Sequence, residues 1–277
     1  MKRIIISDTC LELNEELEKK VNVKLIPMHL DLGDKHFLDD ENLDVRKFVD
    51  EMHAYEGIAK TAAPSPKAFF DEMVDFDEVF VVTISSKLST VYNSACIARD
   101  IFLEKFPDRK IHVFDSKSAV VGQTLLAVKI QEMIDQELPF EEIVELGEKA
   151  VKEMRTYFIL ENLDNLVKNG RMSKIAGRIA SMLSINPVCM GNDGEIEVVA
   201  KIRGMKSGIK RMVKDMGQGL DDLLDRTLYI SHVLKPERAE EVKQRAMELY
   251  KFKDIQIVGS KGLTSVYANE GGIVVAL

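Results

Sequence analysis

No apolar run in this chain approaches the roughly 20 residues that a membrane-spanning helix needs. The opening MKRIIISDTC turns polar after about three apolar residues, too early for the core of a signal peptide. These absences make a cytoplasmic protein without an integral membrane segment the expectation. Basic charge is also scarce. The 38 Lys and Arg stand against 46 Asp and Glu, a net charge of −8 with histidine neutral. Duplex nucleic acid demands a basic face, so nucleic acid is not expected as a partner.

Thiol and imidazole chemistry are equally thin. The three cysteines, Cys10, Cys96 and Cys189, are far apart and odd in number, with no CxxC among them. They read as reduced thiols rather than a disulfide framework. The five histidines (His29, His36, His53, His112 and His232) form neither HxH nor HExxH, so no metal site is expected. The chain has no GxSxG elbow, no GxxxxGK[ST] loop and no GxGxxG turn. Chain order does not exclude a triad, because triads form in space. Ser89 as an acyl nucleophile therefore stays open. There is also no internal repeat, no low-complexity tract and no Pro/Gly-rich linker.

What is present, across 277 residues, is an alternation of short apolar runs and amphipathic stretches. The first half predicts strands over 3–7, 23–32, 79–85 and 111–115, with helices over 12–20, 43–53, 66–74, 90–106 and 118–136. That order belongs to a parallel sheet with helices on both faces. Ligands in such sheets sit at the carboxyl ends of the strands. Three of those ends carry small polar residues: Ser7-Asp8-Thr9, Ser85-Ser86 and Asp115-Ser116. A helix over 140–154 follows, and then the composition changes. The second half predicts a strand over 156–162, a short helix ended by Gly170, a helix from Ser173 through Ser181, and a hairpin over 185–203 turned by GNDGE. Further on come a helix over 205–216, a strand over 227–232, a helix over 236–250, and strands over 254–259 and 272–276. The fold class is α/β in two domains: a parallel-sheet, Rossmann-like domain over 1–153 and a mixed-sheet α/β domain over 154–277.

Four stretches carry the chemistry. FVVTISSKLSTVYNSA, residues 80–95, is a buried-strand pattern emptying into hydroxyls and then into a helix. A helix N-terminus offers free N–H groups and the positive end of the dipole, which with serine hydroxyls can hold a phosphate or carboxylate. The plainer alternative is that Ser89 or Thr90 only caps the helix. KTAAPSPKAFF, residues 60–70, puts Thr61 in an extended segment, with Ser65 and Pro66 at a helix start; alone it is an ordinary helix start. NLVKNGRMS places Arg171 after Gly170, where a guanidinium could grip a carboxylate in bidentate fashion or simply be solvated. KIRGMKSGIKRM is the densest basic segment, with Lys201, Arg203, Lys206, Lys210 and Arg211. It could dock a protein or a phosphate, or be a solvated face.

In order along the chain, SDTC, TAAPS, SSKLSTVYNSA, DSKSAVVGQT, LVKNGRMS and KIRGMKSG resemble the motif series of the DegV family of bacterial fatty-acid-binding proteins. The resemblance spans nearly the whole chain. It implies two α/β domains with a long acyl chain buried between them and no cofactor besides that ligand. It also implies a fatty-acid carboxylate held by Thr61 and Ser89, with Ala62, Thr90, Ser116, Arg171 and Ser265 lining or supporting the pocket. The protein would be a carrier without catalytic residues, presenting the acyl carboxylate to a separate fatty acid kinase that makes acyl phosphate. Arg203 would help engage that partner. The chain departs from the family pattern at Ala62, where a hydroxyl is lost, at Thr90 and Val91, which replace glycine and threonine, and at Ser265, roughly where a histidine would stand. Two other readings are an acyl- or phosphoryl-transfer enzyme using Ser89, and a lipid-sensing regulatory module.

Overall fold

In the computed structural model, residues 1–172 and 185–277 are described. The helix expected from Ser173 through Ser181 lies outside the described residues. The first half builds a sheet of four parallel strands in the order β2-β1-β6-β7. These are Arg3–Asp8 (β1), Val23–Ile26 (β2), Glu78–Thr83 (β6) and Lys110–Asp115 (β7). β6, with sequence EVFVVT, is buried along its whole length, as befits a central strand covered on both faces. Its helices are Glu15–Lys20 (α1), Val45–Ala54 (α2), Pro66–Met73 (α3), Val91–Lys105 (α4), Val121–Asp135 (α5) and Phe140–Glu153 (α6). The first of these begins later than expected. The Asn14 side chain caps it by accepting from Leu17 N at 2.9 Å, which leaves Glu12 outside the helix.

The single strand expected over 23–32 is two strands in different sheets. Pro27 has no N–H to give to a ladder, and after it the chain leaves the parallel sheet. His29–Leu32 (β3) then pairs antiparallel with Lys35–Leu38 (β4) and Lys60–Ala62 (β5), forming a small sheet in the order β4-β3-β5. Neither β4 nor β5 was expected as a strand. Both are short and largely exposed, so they carry little hydrophobic alternation.

The second half is a six-stranded mixed sheet, β10-β9-β8-β13-β11-β12. Thr156–Ile159 (β8), Asn186–Asn192 (β9) and Glu195–Ile202 (β10) run antiparallel in series, and Thr227–His232 (β11) pairs in parallel with Asp254–Gly259 (β12). The last strand, Ile273–Ala276 (β13), is inserted between β8 and β11. The hairpin turn expected at GNDGE is present. Asp193 and Gly194 take φ of +46° and +85°, the paired left-handed geometry that joins two twisted strands tightly. The remaining described α-helices are Asp164–Lys168 (α7), Met205–Met216 (α8), Pro236–Leu249 (α9) and Gly262–Ala268 (α10). The last of these was not anticipated.

The two large sheets are held together by α5, which touches β1 and β6 on one side and β11 and β13 on the other. Val121 through Ala127 are all buried, as a helix covered on every side requires. No helix among the described residues is long and apolar enough to cross a membrane.

Candidate functional site

The carboxyl ends of β1, β6 and β7 are drawn together by their own polar side chains. The Asp8 carboxylate accepts from Cys10 N at 3.0 Å and from Ile84 N at 3.0 Å, tying the end of β1 to that of β6. The Ser86 N–H and hydroxyl donate to Asp115, tying β6 to β7. Ser85 donates its hydroxyl to Gly194 O at 2.7 Å, which brings the hairpin of the second sheet down onto this loop. Next to that bridge the Lys117 ammonium pairs with Asp193. Ser118 and Thr156 share a hydroxyl contact of 2.6 Å between the two halves.

Inside this frame lies a cavity of about 870 Å³, counted to its open mouth. Its walls are mostly apolar and come from both halves, among them Met28, Ile84, Leu88, Phe158, Leu160 and Ile196. On β8 the alternate residues Thr156 and Phe158 face it, as the period of a strand dictates, with Leu160 just beyond. A second, outer cleft of about 1060 Å³ is lined by Ala62, Ser65, Ser86, Lys87, Thr90 and Ser94. Among the described residues, cavity and cleft share Thr61, Leu88, Ser89 and Arg171.

The meeting point is therefore polar, and its side chains come from distant parts of the chain. Thr61, on β5, has its hydroxyl 2.8 Å from the phenol of Tyr267 on α10. Arg171 sits over that tyrosine, with its guanidinium carbon 5.5 Å from the ring centre. The guanidinium is fixed by Leu88 O at 3.1 Å and Asn169 O at 2.5 Å. Ser89 follows one helical turn formed by Ser85–Leu88, with its N–H donating to Ser85 O at 3.1 Å. No hydrogen bond from the described residues uses the Ser89 hydroxyl. Thr90 occupies the cap position of α4 with φ −85° and ψ 3°, and its side chain makes no capping hydrogen bond. The first-turn N–H groups and the positive end of the dipole are left beside the outer cleft. The capping role that could have explained Ser89 and Thr90 is filled by neither.

The other anticipated residues separate clearly. Ala62 and Thr90 line the outer cleft only. Ser116 is buried and lines neither space; its hydroxyl accepts from Ser118 N at 3.2 Å and shapes the turn after β7. Ser265 is fully buried and is not among the cavity residues, since its hydroxyl donates back to Lys261 O at 2.7 Å within α10. Tyr267, two residues further on, is the one that reaches the mouth. Arg203 is exposed at the end of β10, away from both linings, with Lys206 and Lys210 also exposed nearby.

Behind the cavity lies a polar group of which sequence reasoning singled out Asp8, at the end of β1, and missed Glu12 and Asp39. Asp8, Glu12 and Asp39 are fully buried carboxyls. Asp39 accepts from Gly262 N at 2.8 Å and Leu263 N at 2.9 Å, and Glu12 accepts from Lys261 N at 2.9 Å, so the two together hold the start of α10. Glu12 also accepts from Ser231 at 2.6 Å. Burial outweighs these bonds. It pushes Glu12 up to about 7 and Asp8 up to about 6, and it raises Asp39 as well. Burial also raises the Cys10 thiol, on the cavity wall, well above its ordinary range.

A family model described as "Uncharacterised protein, DegV family COG1307" matches residues 2–277. A DegV family protein of COG1307 from Ruminococcus gnavus, with vaccenic acid in its crystal structure, is 34% identical with a TM-score of 0.94, covering 99% of this chain and 99% of that one. The Streptococcus pneumoniae Fatty Acid Kinase (Fak) B3 protein, loaded with linoleic acid, is 31% identical with a TM-score of 0.90 and covers 100% of this chain and 99% of that one. A DegV domain-containing protein of Streptococcus pneumoniae is 33% identical over 98% of this chain and 96% of its own length.

Proposed function

The chain belongs to the DegV family, and from that premise we propose that it binds one long-chain fatty acid, tail in the apolar cavity and carboxylate at the mouth. The observation that carries this reading is the shape of the site. A mostly apolar cavity meets the outer cleft at Thr61, Leu88, Ser89 and Arg171, with Tyr267 bonded to Thr61 from the cavity wall. Burying each methylene contributes about 0.8 kcal/mol, so a long tail can be held tightly without any cofactor. The head group needs only donors that spare it from being desolvated unpaired. Thr61 and Ser89 are its proposed ligands. The uncapped N-terminus of α4 supplies a favourable field, and residues 1–153 and 154–277 act as the two domains that enclose the tail.

In this reading the protein is a carrier and not an enzyme. It leaves the carboxylate at an opening where a separate ATP-dependent fatty acid kinase could phosphorylate it, and Arg203 belongs to the face that meets this partner. The similarity to the pneumococcal Fatty Acid Kinase B3 protein supports the partnership. A Ser89 acyl-enzyme is disfavoured, because no histidine lines either the cavity or the outer cleft.

Mass spectrometry of the purified protein, native and then denatured, tests the proposal. The expected result is a one-to-one adduct with a fatty-acid mass that leaves on denaturation. A covalent adduct on Ser89 would replace the carrier by an acyl-enzyme. A protein that neither retains nor takes up any fatty acid would contradict the reading altogether.

A further inference from the structure

The end of the cavity farthest from the mouth carries a polar pair of its own. Thr156 and Phe158 face the cavity from β8, and Leu160 continues their row. Beyond Leu160 the chain enters α7, whose Asn165 donates to Val266 O, next to Tyr267 at the mouth. Thr156 therefore stands at the opposite end of the row, about 13 Å from Leu160 at the rise of a strand. There its hydroxyl lies 2.6 Å from that of Ser118. Both residues line the cavity and are more than nine-tenths buried, with 8% and 6% of their surface exposed. Two hydroxyls hold two protons and four lone pairs, and one bond between them uses one of each. The second proton is poorly used by the protein. The Ser118 hydroxyl has Ala119 O at 3.4 Å, beyond the roughly 2.5–3.0 Å of a full O–H···O bond. The Thr156 hydroxyl has no further partner among the described residues. Gly191 of β9 lies alongside and adds no side chain over the pair.

We propose that Ser118 and Thr156 form a tail subsite for an oxygenated fatty acid, one that carries a hydroxyl toward the end of its chain. This rests on the fatty-acid reading above and names within it a class of ligand. A hydroxyl brought into an apolar cavity gives up its bonds to water and needs a partner there. At this pair it accepts the spare proton and donates to an unused lone pair. A plain hydrocarbon tail leaves both idle. The surroundings suit a neutral group rather than a second carboxylate. Glu195 belongs to the same lining, and the Lys117 ammonium beside it is already paired with Asp193.

The test titrates the delipidated chain with unbranched fatty acids of graded length and with their ω-hydroxy derivatives, reading the ratio of the two affinities at each length. The expected result is comparable affinity at one length, where the terminal oxygen reaches the pair. At lengths that strand it elsewhere the hydroxy acid should bind about tenfold or more weaker. Thr156→Val, of nearly the same shape without the oxygen, should worsen the ratio about tenfold at the favoured length, and Thr156→Ser, which keeps the oxygen, should preserve it. Ser118→Ala makes the same cut from the other half and carries the same expectation should Thr156→Val fail to fold. A uniform penalty at every length in the unmutated chain overturns the proposal while leaving fatty-acid binding intact. A ratio that neither Thr156→Val nor Ser118→Ala alters also overturns it, since the pair would then serve only to join the halves. If the unmutated chain binds no acid of either kind, the fatty-acid reading fails first and this inference falls with it.

Discussion

Two polar clusters flank the same cavity, and they behave in opposite ways. At the mouth, Thr61, Ser89, Arg171 and Tyr267 are partly exposed, and their bonds among the described residues leave hydroxyl protons unspent. Behind the wall, Asp8, Glu12 and Asp39 are fully buried, and their oxygens take up backbone N–H groups and side-chain donors from both halves. The second cluster is richer in charge-bearing groups, and burial raises the pKa of each of its carboxyls. Perturbed titration alone would select it as the functional site. Geometry selects the mouth, because a ligand is held by donors that the protein has not already used. On the proposed reading the buried carboxyls hold the wall, and the hydroxyls face the ligand.

The largest break in this contrast should come from Asp39→Ala. It strips two N–H groups at the start of α10 of their acceptor and leaves them buried. At about 1–3 kcal/mol for each unsatisfied group, urea unfolding should show a loss of about 3 kcal/mol or more. A loss below about 1 kcal/mol would mean that the clasp is not structural.

Next in size is the pH dependence of Glu12. Its folded-state pKa of about 7 lies above the ordinary 4.5, so folding favours its protonated form. That contribution is complete below about pH 4.5 and disappears as pH rises through 7, amounting to about 3 kcal/mol. Glu12→Gln removes the titration. The stability of the unmutated protein relative to this variant should therefore fall between pH 4 and pH 8. A constant difference across that range would show that Glu12 is not perturbed in the fold.

Thr61→Ala reads the other cluster. Loss of a bond to a desolvated carboxylate costs on the order of 1.5–3 kcal/mol, so fatty-acid affinity should drop about 10- to 100-fold with little change in unfolding. Unaltered affinity would remove Thr61 from the cradle. The smallest effects should lie on the surface. Lys117→Ala opens the exposed pair with Asp193 and should cost less than about 1 kcal/mol. Arg203→Glu should leave lipid affinity unchanged and reduce acyl phosphate formation with a kinase partner. Lost lipid affinity in Arg203→Glu would assign that residue to the pocket instead.

The sequence made the mouth half legible. β6 and the loop after it were readable because EVFVVT is apolar, β-branched and followed at once by serines, a signal contained in about a dozen consecutive residues. Thr61, Ser89 and Arg171 were named from local motifs, and the structure brings them to one junction. Tyr267 was missed because α10 was missed. GLTSVYA contains Thr, Val and Tyr, poor helix formers, and its start is held by carboxyls more than 200 residues away in the chain. Without that helix, Ser265 and Tyr267 could not be told apart: Ser265 was expected to line or support the pocket, and it is Tyr267 that lines the cavity. Glu12 and Asp39 were illegible for the same reason. Each reads locally as a surface acid, and only the second half of the chain buries it. The split at Pro27 and the small sheet of β3, β4 and β5 depend on pairings between short exposed strands, which hydrophobic periodicity does not register.

The central claim is that the mouth binds the ligand and the buried carboxyls do not. Calorimetric titration of a delipidated long-chain fatty acid acceptor series tests it most directly: the unmutated chain, Ser89→Ala and Glu12→Gln, each at pH 7.5. The account predicts that Ser89→Ala weakens binding about tenfold or more and that Glu12→Gln binds as the unmutated chain does. Full affinity in Ser89→Ala together with a loss in Glu12→Gln would contradict it, and would move the site from the hydroxyls to the buried acids.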